Sequence, residues 1–170
     1  MRSKTADWFE VKIRYDKTQE DGTMKPATEQ YTLNAYSFTD AEATIIEEMS
    51  AYISGDFKIT DIKPAPYKEI FFSDMNNDDC WFKAKLQFIT LDEKSGKEKR
   101  SAVNYLVQAH TLPQAVKYID EVMGKTMIDY VISNISETKI QDVFEQEIVK
   151  EKPAANELPE YMEQPTEAEQ

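Results

Sequence analysis

The sequence predicts an α+β fold in which a β-β-α-β unit occurs twice, as a tandem duplication packed into one pseudo-symmetric body. Trp-Phe opens a stretch of alternating apolar and polar residues at Trp8 and again at Trp81. Each pair of predicted strands is followed by apolar residues at helical spacing. Matching residues lie 73 positions apart in the first strand, 74 from the hairpin through the helix, and 73 again in the third strand. A register held this long indicates an internal repeat.

The predicted first unit covers residues 8–74, after a lead-in at residues 1–7 that we expect to be flexible. Its predicted strands are residues 8–15, 28–36 and 57–62. In the first of them, Phe9, Val11 and Ile13 share one face, which we assign to the core. Asp21 and Gly22 supply the turn signal of a hairpin.

The predicted helix of this unit starts at Thr39, because Thr39 and Glu42 form a capping-box pattern. Gly55 is predicted to end it. Its expected apolar stripe is Ala41, Ile45, Ile46, Met49, Tyr52 and Ile53.

The predicted second unit, residues 75–149, has the same order of elements. Its predicted strands are residues 81–91, 102–110 and 130–135, and Lys94, Ser95 and Gly96 supply the turn between the first two. Thr111 and Pro113 indicate the start of its helix, since proline is tolerated in a first turn. One unit covers only one face of its sheet, so we expect the two to pack by joining their sheets or by burying the helices between them.

The composition limits the classes of protein to consider. The net charge is −12, which argues against a generally basic nucleic-acid binder. Residues 150–170 contain six Glu and two Lys among Pro, Gln and Ala, which predicts a disordered acidic tail. One cysteine and the lack of a leader or a long apolar run predict a cytoplasmic protein without a membrane span.

The strand face opposite the predicted core is the candidate site. It combines aromatic and basic side chains, a mixture typical of proteins that bind single-stranded nucleic acid by stacking and phosphate contacts. The candidate binding residues on this face are Trp8, Lys12, Arg14, Tyr36, Trp81, Lys83 and Lys85. The second strand of each unit adds polar residues to it: Gln30, Thr32, Asn34, Asn104, Gln108 and His110. A predicted basic turn adds Lys97, Lys99 and Arg100. The alternative interpretation is a solvated sheet face whose tryptophans pack at its edge or between the repeats.

Other motifs predict no chemistry. Residues 74–79 resemble a calcium loop, but Asp79 occupies the glycine position and Lys85 the closing Glu position. His110 and Cys80 are each the only residue of their type and lie in no catalytic motif. We therefore predict no enzyme activity, cofactor or metal site.

Four stretches carry a resemblance to a known family: Trp-Phe, Ile-Ser-Gly-Asp-Phe, Thr-Asp-Ile-Lys, and Trp-Phe-Lys-Ala-Lys-Leu-Gln-Phe-Ile-Thr-Leu-Asp-Glu-Lys-Ser-Gly. Through them the chain resembles a domain-of-unknown-function family of gut Bacteroidetes and their phages and mobile elements. The resemblance covers about residues 8–144. It implies an intracellular protein of such an element and transfers no catalytic residue.

Two hypotheses of function follow. The first is a non-enzymatic single-stranded-DNA-binding protein of phage or mobile-element DNA replication or metabolism. The second is an acidic protein-interaction module, such as an inhibitor, DNA mimic or assembly factor, that does not bind nucleic acid. Protein partners bound through the acidic tail, and a homo-oligomer, remain open in both.

Overall fold

A computed structural model describes residues 1–147, and the predicted tail at residues 150–170 lies outside the described residues. Within that range the chain forms two helices and nine strands in two sheets, which confirms the α+β class. In chain order the elements are β1 (Arg2–Lys4), β2 (Trp8–Thr18), β3 (Met24–Asn34), α1 (Phe38–Ser50), β4 (Phe57–Pro64), β5 (Tyr67–Phe72), β6 (Cys80–Leu91), β7 (Glu98–Ala109), α2 (Leu112–Met123), β8 (Asp129–Glu137) and β9 (Ile140–Phe144).

After β1, the order β-β-α-β-β occurs twice, as β2 to β5 with α1 and as β6 to β9 with α2. Each half therefore has one strand more than the predicted β-β-α-β unit. The additional strands, β5 and β9, are the short apolar segments that follow the third strand of each half. Their side chains are mostly buried in β5, and in β9 Ile140 and Val143 are buried while Gln141 and Asp142 are exposed.

The two additional strands cross between the halves. Sheet 1 has the strand order β4-β2-β3-β9 and sheet 2 the order β1-β5-β7-β6-β8. Strand β5 pairs in parallel with β7, and β9 pairs in parallel with β3. The last strand of each half thus completes the sheet of the other half.

The same hydrogen bond marks both crossings. The Ala65 amide donates to the Trp8 carbonyl, and the Thr138 amide donates to the Trp81 carbonyl, each at 2.8 Å. Ala65 and Thr138 are 73 positions apart, as are Trp8 and Trp81. The chain therefore leaves the two sheets in equivalent ways.

Each helix covers the outer face of one sheet. Ala41, Ile45 and Met49 of α1 pack on sheet 1, and the corresponding Ala115, Ile119 and Met123 of α2 pack on sheet 2. The opposite faces of the two sheets contribute to one shared cluster. The layers therefore run helix, sheet, sheet, helix, and the expectation of joined sheets or of helices buried between the units is wrong.

The shared cluster, called here the inter-sheet cluster, is rich in aromatic side chains. Its buried members are Trp8, Tyr67, Ile70, Phe72, Trp81, Leu106, Ile140 and Val143. The Phe72 ring lies beside both indoles, with ring centroids 6.4 Å from Trp8 and 5.7 Å from Trp81. One strand that crosses between the halves thus supplies the ring that joins the two tryptophans.

Helix α1 differs from its predicted boundaries. Its N-cap is Ser37, whose hydroxyl accepts a hydrogen bond from the Asp40 amide at 3.1 Å, so the predicted start at Thr39 is two residues late. The helix ends at Ser50, before Gly55. Two members of the predicted apolar stripe are exposed, Ile46 at 44% and Tyr52 at 73%.

The predicted start of α2 and the two hairpin turns agree with the structure. Thr111 is the N-cap of α2, and its hydroxyl accepts from the Gln114 amide at 3.3 Å. Gly22 and Gly96 have φ values of 82° and 65°, which favour glycine over residues with a side chain. These are the glycines that the sequence pattern places in the turns.

The lead-in at residues 1–7 contains a strand that the sequence did not predict. Strand β1 pairs with β5 at the edge of sheet 2. The Arg2 guanidinium binds both carboxylate oxygens of Glu145 and lies 4.2 Å from the centre of the Phe72 ring. The N-terminal amine pairs with Asp74. The Glu145 contact attaches the start of the chain to the segment that follows β9, and the Phe72 and Asp74 contacts attach it to β5 and the residues after β5.

Candidate functional site

Trp8 and Trp81 do not lie on an accessible face. Only 2% of Trp8 and 3% of Trp81 is exposed, because both indoles belong to the inter-sheet cluster. The expectation that these rings are available to stack on bases is therefore wrong. The alternative interpretation, packing between the two halves, describes their position.

The basic side chains of the same strand faces remain accessible. Lys12 is half-buried and Arg14 exposed on sheet 1, while Lys83 is half-buried and Lys85 exposed on sheet 2. All four alternate with core residues, so they share the face that carries the tryptophans. Beyond the inter-sheet cluster, this face therefore becomes polar and basic.

A concave pocket lies on this part of sheet 2. Its volume is about 420 Å³, and its lining side chains are Lys83, Lys85, Asn104, Asn134 and Ser136. We call it the sheet 2 pocket. Lys85 pairs with Asn104 on one side and Asn134 on the other, and Lys83 pairs with Ser136. Directly paired residues of adjacent strands have Cβ atoms about 5 Å apart, so these side chains form two neighbouring rows across the sheet.

A β-bulge lies next to the pocket and has an equivalent in the other sheet. Ser133 is the additional residue of β8, and its hydroxyl donates to the Lys85 carbonyl at 3.0 Å. In β4 the additional residue is Thr60, whose hydroxyl donates to the Lys12 carbonyl at 3.3 Å. Bulges redirect side chains at the edge of a sheet. In both sheets the hydroxyl of the additional residue thus binds the backbone carbonyl of a lysine, Lys85 in sheet 2 and Lys12 in sheet 1.

In the equivalent region of sheet 1, side chains contact one another. Glu10 is 8% exposed, accepts a hydrogen bond from the Tyr67 hydroxyl at 2.8 Å, and lies 3.6 Å from the Lys63 ammonium. Burial and the Glu10 carboxylate raise the pKa of Tyr67 well above its ordinary range, so the phenol remains a donor. Lys12 pairs across the strands with Asp61. Carboxylates therefore accompany the cations on sheet 1.

The other predicted binding residues lie outside the pocket. Tyr36 is 61% exposed and lies between β3 and α1, because β3 ends at Asn34, two residues before the predicted end of this strand. Lys97, Lys99 and Arg100 are exposed at the β6–β7 hairpin tip, where Arg100 forms an ion pair with Glu98 at 3.0 Å. Lys99 pairs with Thr90, five residues along β6 from Lys85, which corresponds to about 17 Å.

Sequence reasoning missed two residues of the pocket, Asn134 and Ser136. Both belong to β8, which was read only for its apolar residues. A signal was present, because Asn134 and Ser136 flank Ile135, which packs against the core of sheet 2. Alternation therefore assigns them to the face of Lys83 and Lys85. Lys58 and Lys63 of β4 were missed on sheet 1 for the same reason.

The single cysteine, the single histidine and two aspartates of the loop before β6 lie in local contacts. Burial raises the pKa of the Cys80 thiol to about 11, which keeps it protonated at neutral pH. A hydrogen bond from the His110 ring, 3.1 Å away, lowers the pKa of Asp79. Asp78, from the loop that resembles a calcium site, is buried and accepts from Ser73 and Tyr118. Within residues 1–147 no group of three or more His, Cys, Asp or Glu side chains is arranged to hold a metal ion.

Fold and site define a class: an α+β protein of two sheets that exchange strands, with a basic polar pocket on one sheet. The chain belongs to the family Domain of unknown function DUF4494, whose model matches residues 7–146. No curated protein and no solved structure matches the chain. Neither helix of residues 1–147 has the length and apolar character needed to cross a membrane.

Proposed function

We propose that this protein binds single-stranded nucleic acid without catalysing a reaction, through the basic polar part of its sheet faces. The observation that carries the proposal is the sheet 2 pocket, where two lysines, two asparagines and a serine converge without a carboxylate. Such an accumulation of donors is unusual in a chain with a net charge of −12. Ammonium, amide and hydroxyl groups are the donors that proteins direct at the phosphates and sugars of nucleic acids.

The proposed mode of binding differs from base stacking on the tryptophans. Both indoles are buried, so contacts to the sugar-phosphate backbone must supply the affinity, and binding should depend weakly on sequence and strongly on salt. Lys12 and Arg14 of sheet 1 extend the basic face. Tyr36 is the predicted aromatic residue that has an exposed ring. A role in the DNA metabolism of a phage or mobile element, and an origin of the fold by tandem duplication, belong to the same proposal.

The test is binding of a fluorescent oligothymidine of about 20 nucleotides, measured by anisotropy over a range of salt concentrations. We expect binding near 50 mM salt that weakens steeply as salt rises. Lys83→Gln combined with Lys85→Gln should weaken it about tenfold or more, since each lost phosphate contact costs on the order of 1 kcal/mol. Lys117→Gln with Lys125→Gln removes the same charge from outside the pocket and is the matched control.

Two further arms complete the test. Tyr36→Ala measures the contribution of an exposed ring without disturbing the buried tryptophans. A chain that ends at residue 147 measures the effect of the acidic segment, residues 148–170. If neither the full chain nor the shortened chain binds at low salt, the proposal is wrong.

A protein-interaction module is the second candidate function, and the edge of sheet 2 favours it. Just before β8, Met127 is fully exposed and Ile128 is 44% exposed, and Val131 within β8 is 40% exposed. Strand β8 is an edge strand, with backbone groups available to pair with a strand of a partner. Met127→Ser combined with Ile128→Ser removes exposed apolar side chains without changing the charge; it should weaken such binding and leave oligonucleotide binding unchanged, which separates the two candidates.

A further inference from the structure

The geometry points to the sheet 2 pocket as a site for one phosphate group, a site that the equivalent region of sheet 1 lacks. The phosphate site itself does not depend on the proposed function. That the phosphate belongs to a single-stranded nucleic acid does rest on it. It makes the two halves of the fold unequal. One half has a ligand site, and the other uses the same positions for internal contacts.

The pocket positions correspond one to one with positions of sheet 1. At separations of 73 or 74, the counterparts of Lys83, Lys85, Asn104, Asn134 and Ser136 are Glu10, Lys12, Gln30, Asp61 and Lys63. Strand pairing agrees: Lys85 pairs with Asn104 and Asn134, and Lys12 pairs with Gln30 and Asp61. The backbones are therefore equivalent, and the side chains decide the chemistry.

Those side chains give the two regions opposite abilities to accept an anion. Sheet 1 has carboxylates at two of the five positions, Glu10 and Asp61, and Glu10 is occupied by Tyr67 and Lys63. Sheet 2 has Lys83 and Asn134 there instead. Within residues 1–147, no side chain of the sheet 2 pocket has a hydrogen-bond or ion-pair partner. Five free donor-bearing groups without a carboxylate attract an anion and repel a cation.

The size and lining of the pocket indicate which anion. A volume of about 420 Å³ accommodates a phosphate and its sugar. The donors lie in two adjacent rows across the sheet, so several of them can reach different acceptor oxygens of one phosphate. No aromatic side chain lines the pocket, so it has no platform for a base. The site should therefore accept the phosphate of any nucleotide.

The experiment uses the ¹⁵N-labelled full chain and two probes, inorganic phosphate and an oligothymidine, each at constant ionic strength against chloride. Binding in the pocket should give saturable shifts of the Asn104 and Asn134 side-chain amide signals. Asn134→Asp places in the pocket the carboxylate found at the counterpart position, and should weaken binding about tenfold. Asn77→Asp adds the same charge in the exposed loop before β6 and should change little.

The outcomes separate the pocket from the proposed function. Shifts with both probes support the phosphate site and the proposed single-strand binding. Shifts with phosphate alone support the pocket and contradict single-strand binding. Oligothymidine binding that leaves Asn104 and Asn134 unshifted and tolerates Asn134→Asp overturns the pocket and leaves the proposed function standing. If neither probe gives saturable shifts of these signals, the pocket is not a phosphate site.

Discussion

Among single residues, Trp8 and Trp81 show how one side chain serves a role that its sequence pattern does not reveal. Alternation places each on the face opposite the helix-covered core, which is correct. In most antiparallel sheets with one covered face, the other face meets water. Here it meets a second sheet, so the tryptophans are core residues. The two tryptophans stabilise the fold through the apolar area that they bury, and they offer no exposed ring on which a base could stack.

Trp81→Ala should lower the free energy of unfolding by about 3–5 kcal/mol, the range for large aromatic residues truncated in a core. Trp8→Ala should cost a similar amount. Urea denaturation followed by circular dichroism checks both values. Tyr36→Ala, which alters an exposed ring, is the control and should cost far less. A cost below about 1 kcal/mol for both tryptophan variants would contradict the burial described here.

For the candidate site, the sequence identified the charges and missed the neighbours. Lys83 and Lys85 were predicted from alternation in β6 alone. Asn134 and Ser136 were missed because a strand's partners depend on sheet order, which single-strand patterns do not contain. Glu10 lies on the same strand face as Lys12, and only the crossing of β5 brings Tyr67 to it.

At the level of elements, capping residues and apolar spacing predicted both helices. For α1, two possible N-cap residues lie near its start, and the prediction chose the wrong one. Thr39 and Glu42 form a valid capping-box pattern, yet Ser37 also precedes the helix and is the residue whose backbone is extended, with φ −157° and ψ 172°. The extended residue becomes the cap because its side chain can then reach a free amide of the first turn.

Ser37→Ala should therefore destabilise the protein by about 1 kcal/mol, the usual cost of losing an N-cap hydroxyl. Thr39→Ala, two residues later inside the first turn, should have an effect within about 0.5 kcal/mol of zero. Thermal or urea unfolding of the two variants measures the difference. The reverse order of costs would assign the cap to Thr39.

Strand β1 is held by an ion pair whose strength depends on pH. The Arg2 guanidinium holds the pKa of Glu145 below its ordinary value through a hydrogen bond, against a smaller opposing effect of burial. Because the folded-state pKa is the lower one, this stabilisation is present above the unfolded pKa of about 4.3 and is lost as pH falls through the folded value.

Glu145→Gln should accordingly lower the free energy of unfolding by about 1 kcal/mol at pH 7 and by almost nothing near pH 2. Urea titrations at the two pH values measure this. Glu147→Gln removes a carboxylate two residues further along, for which residues 1–147 show no ion-pair partner, and is the control. An equal effect of Glu145→Gln at both pH values would exclude the ion pair as its source.

For the whole molecule, the repeat pattern predicted two equivalent halves but not how they join. The sequence separations of 73 and 74 describe correspondence along the chain, whereas sheet membership depends on where the chain turns after Pro64 and Glu137. The short apolar strands β5 and β9 match either sheet by composition. Strand β9 pairs with the edge of β3 that β2 leaves open, and β5 pairs with the edge of β7 that β6 leaves open. The same strands supply Ile70, Phe72, Ile140 and Val143 to the inter-sheet cluster. Their placement therefore depends on the whole assembly.

The exchange of strands makes each half depend on the other for folding. Fragment 1–74 lacks β9 and exposes its share of the inter-sheet cluster, and fragment 75–147 lacks β5 and exposes the remainder. We expect each fragment alone to be unfolded, because a sheet with one missing strand and one uncovered apolar face buries too little surface. Mixed together, the two should form a complex with the dispersed amide spectrum of the intact chain. Circular dichroism and ¹⁵N spectra of one labelled fragment, recorded with and without the other, test this. A dispersed spectrum from either fragment alone would show that its half is an independent domain and that the crossing strands are dispensable.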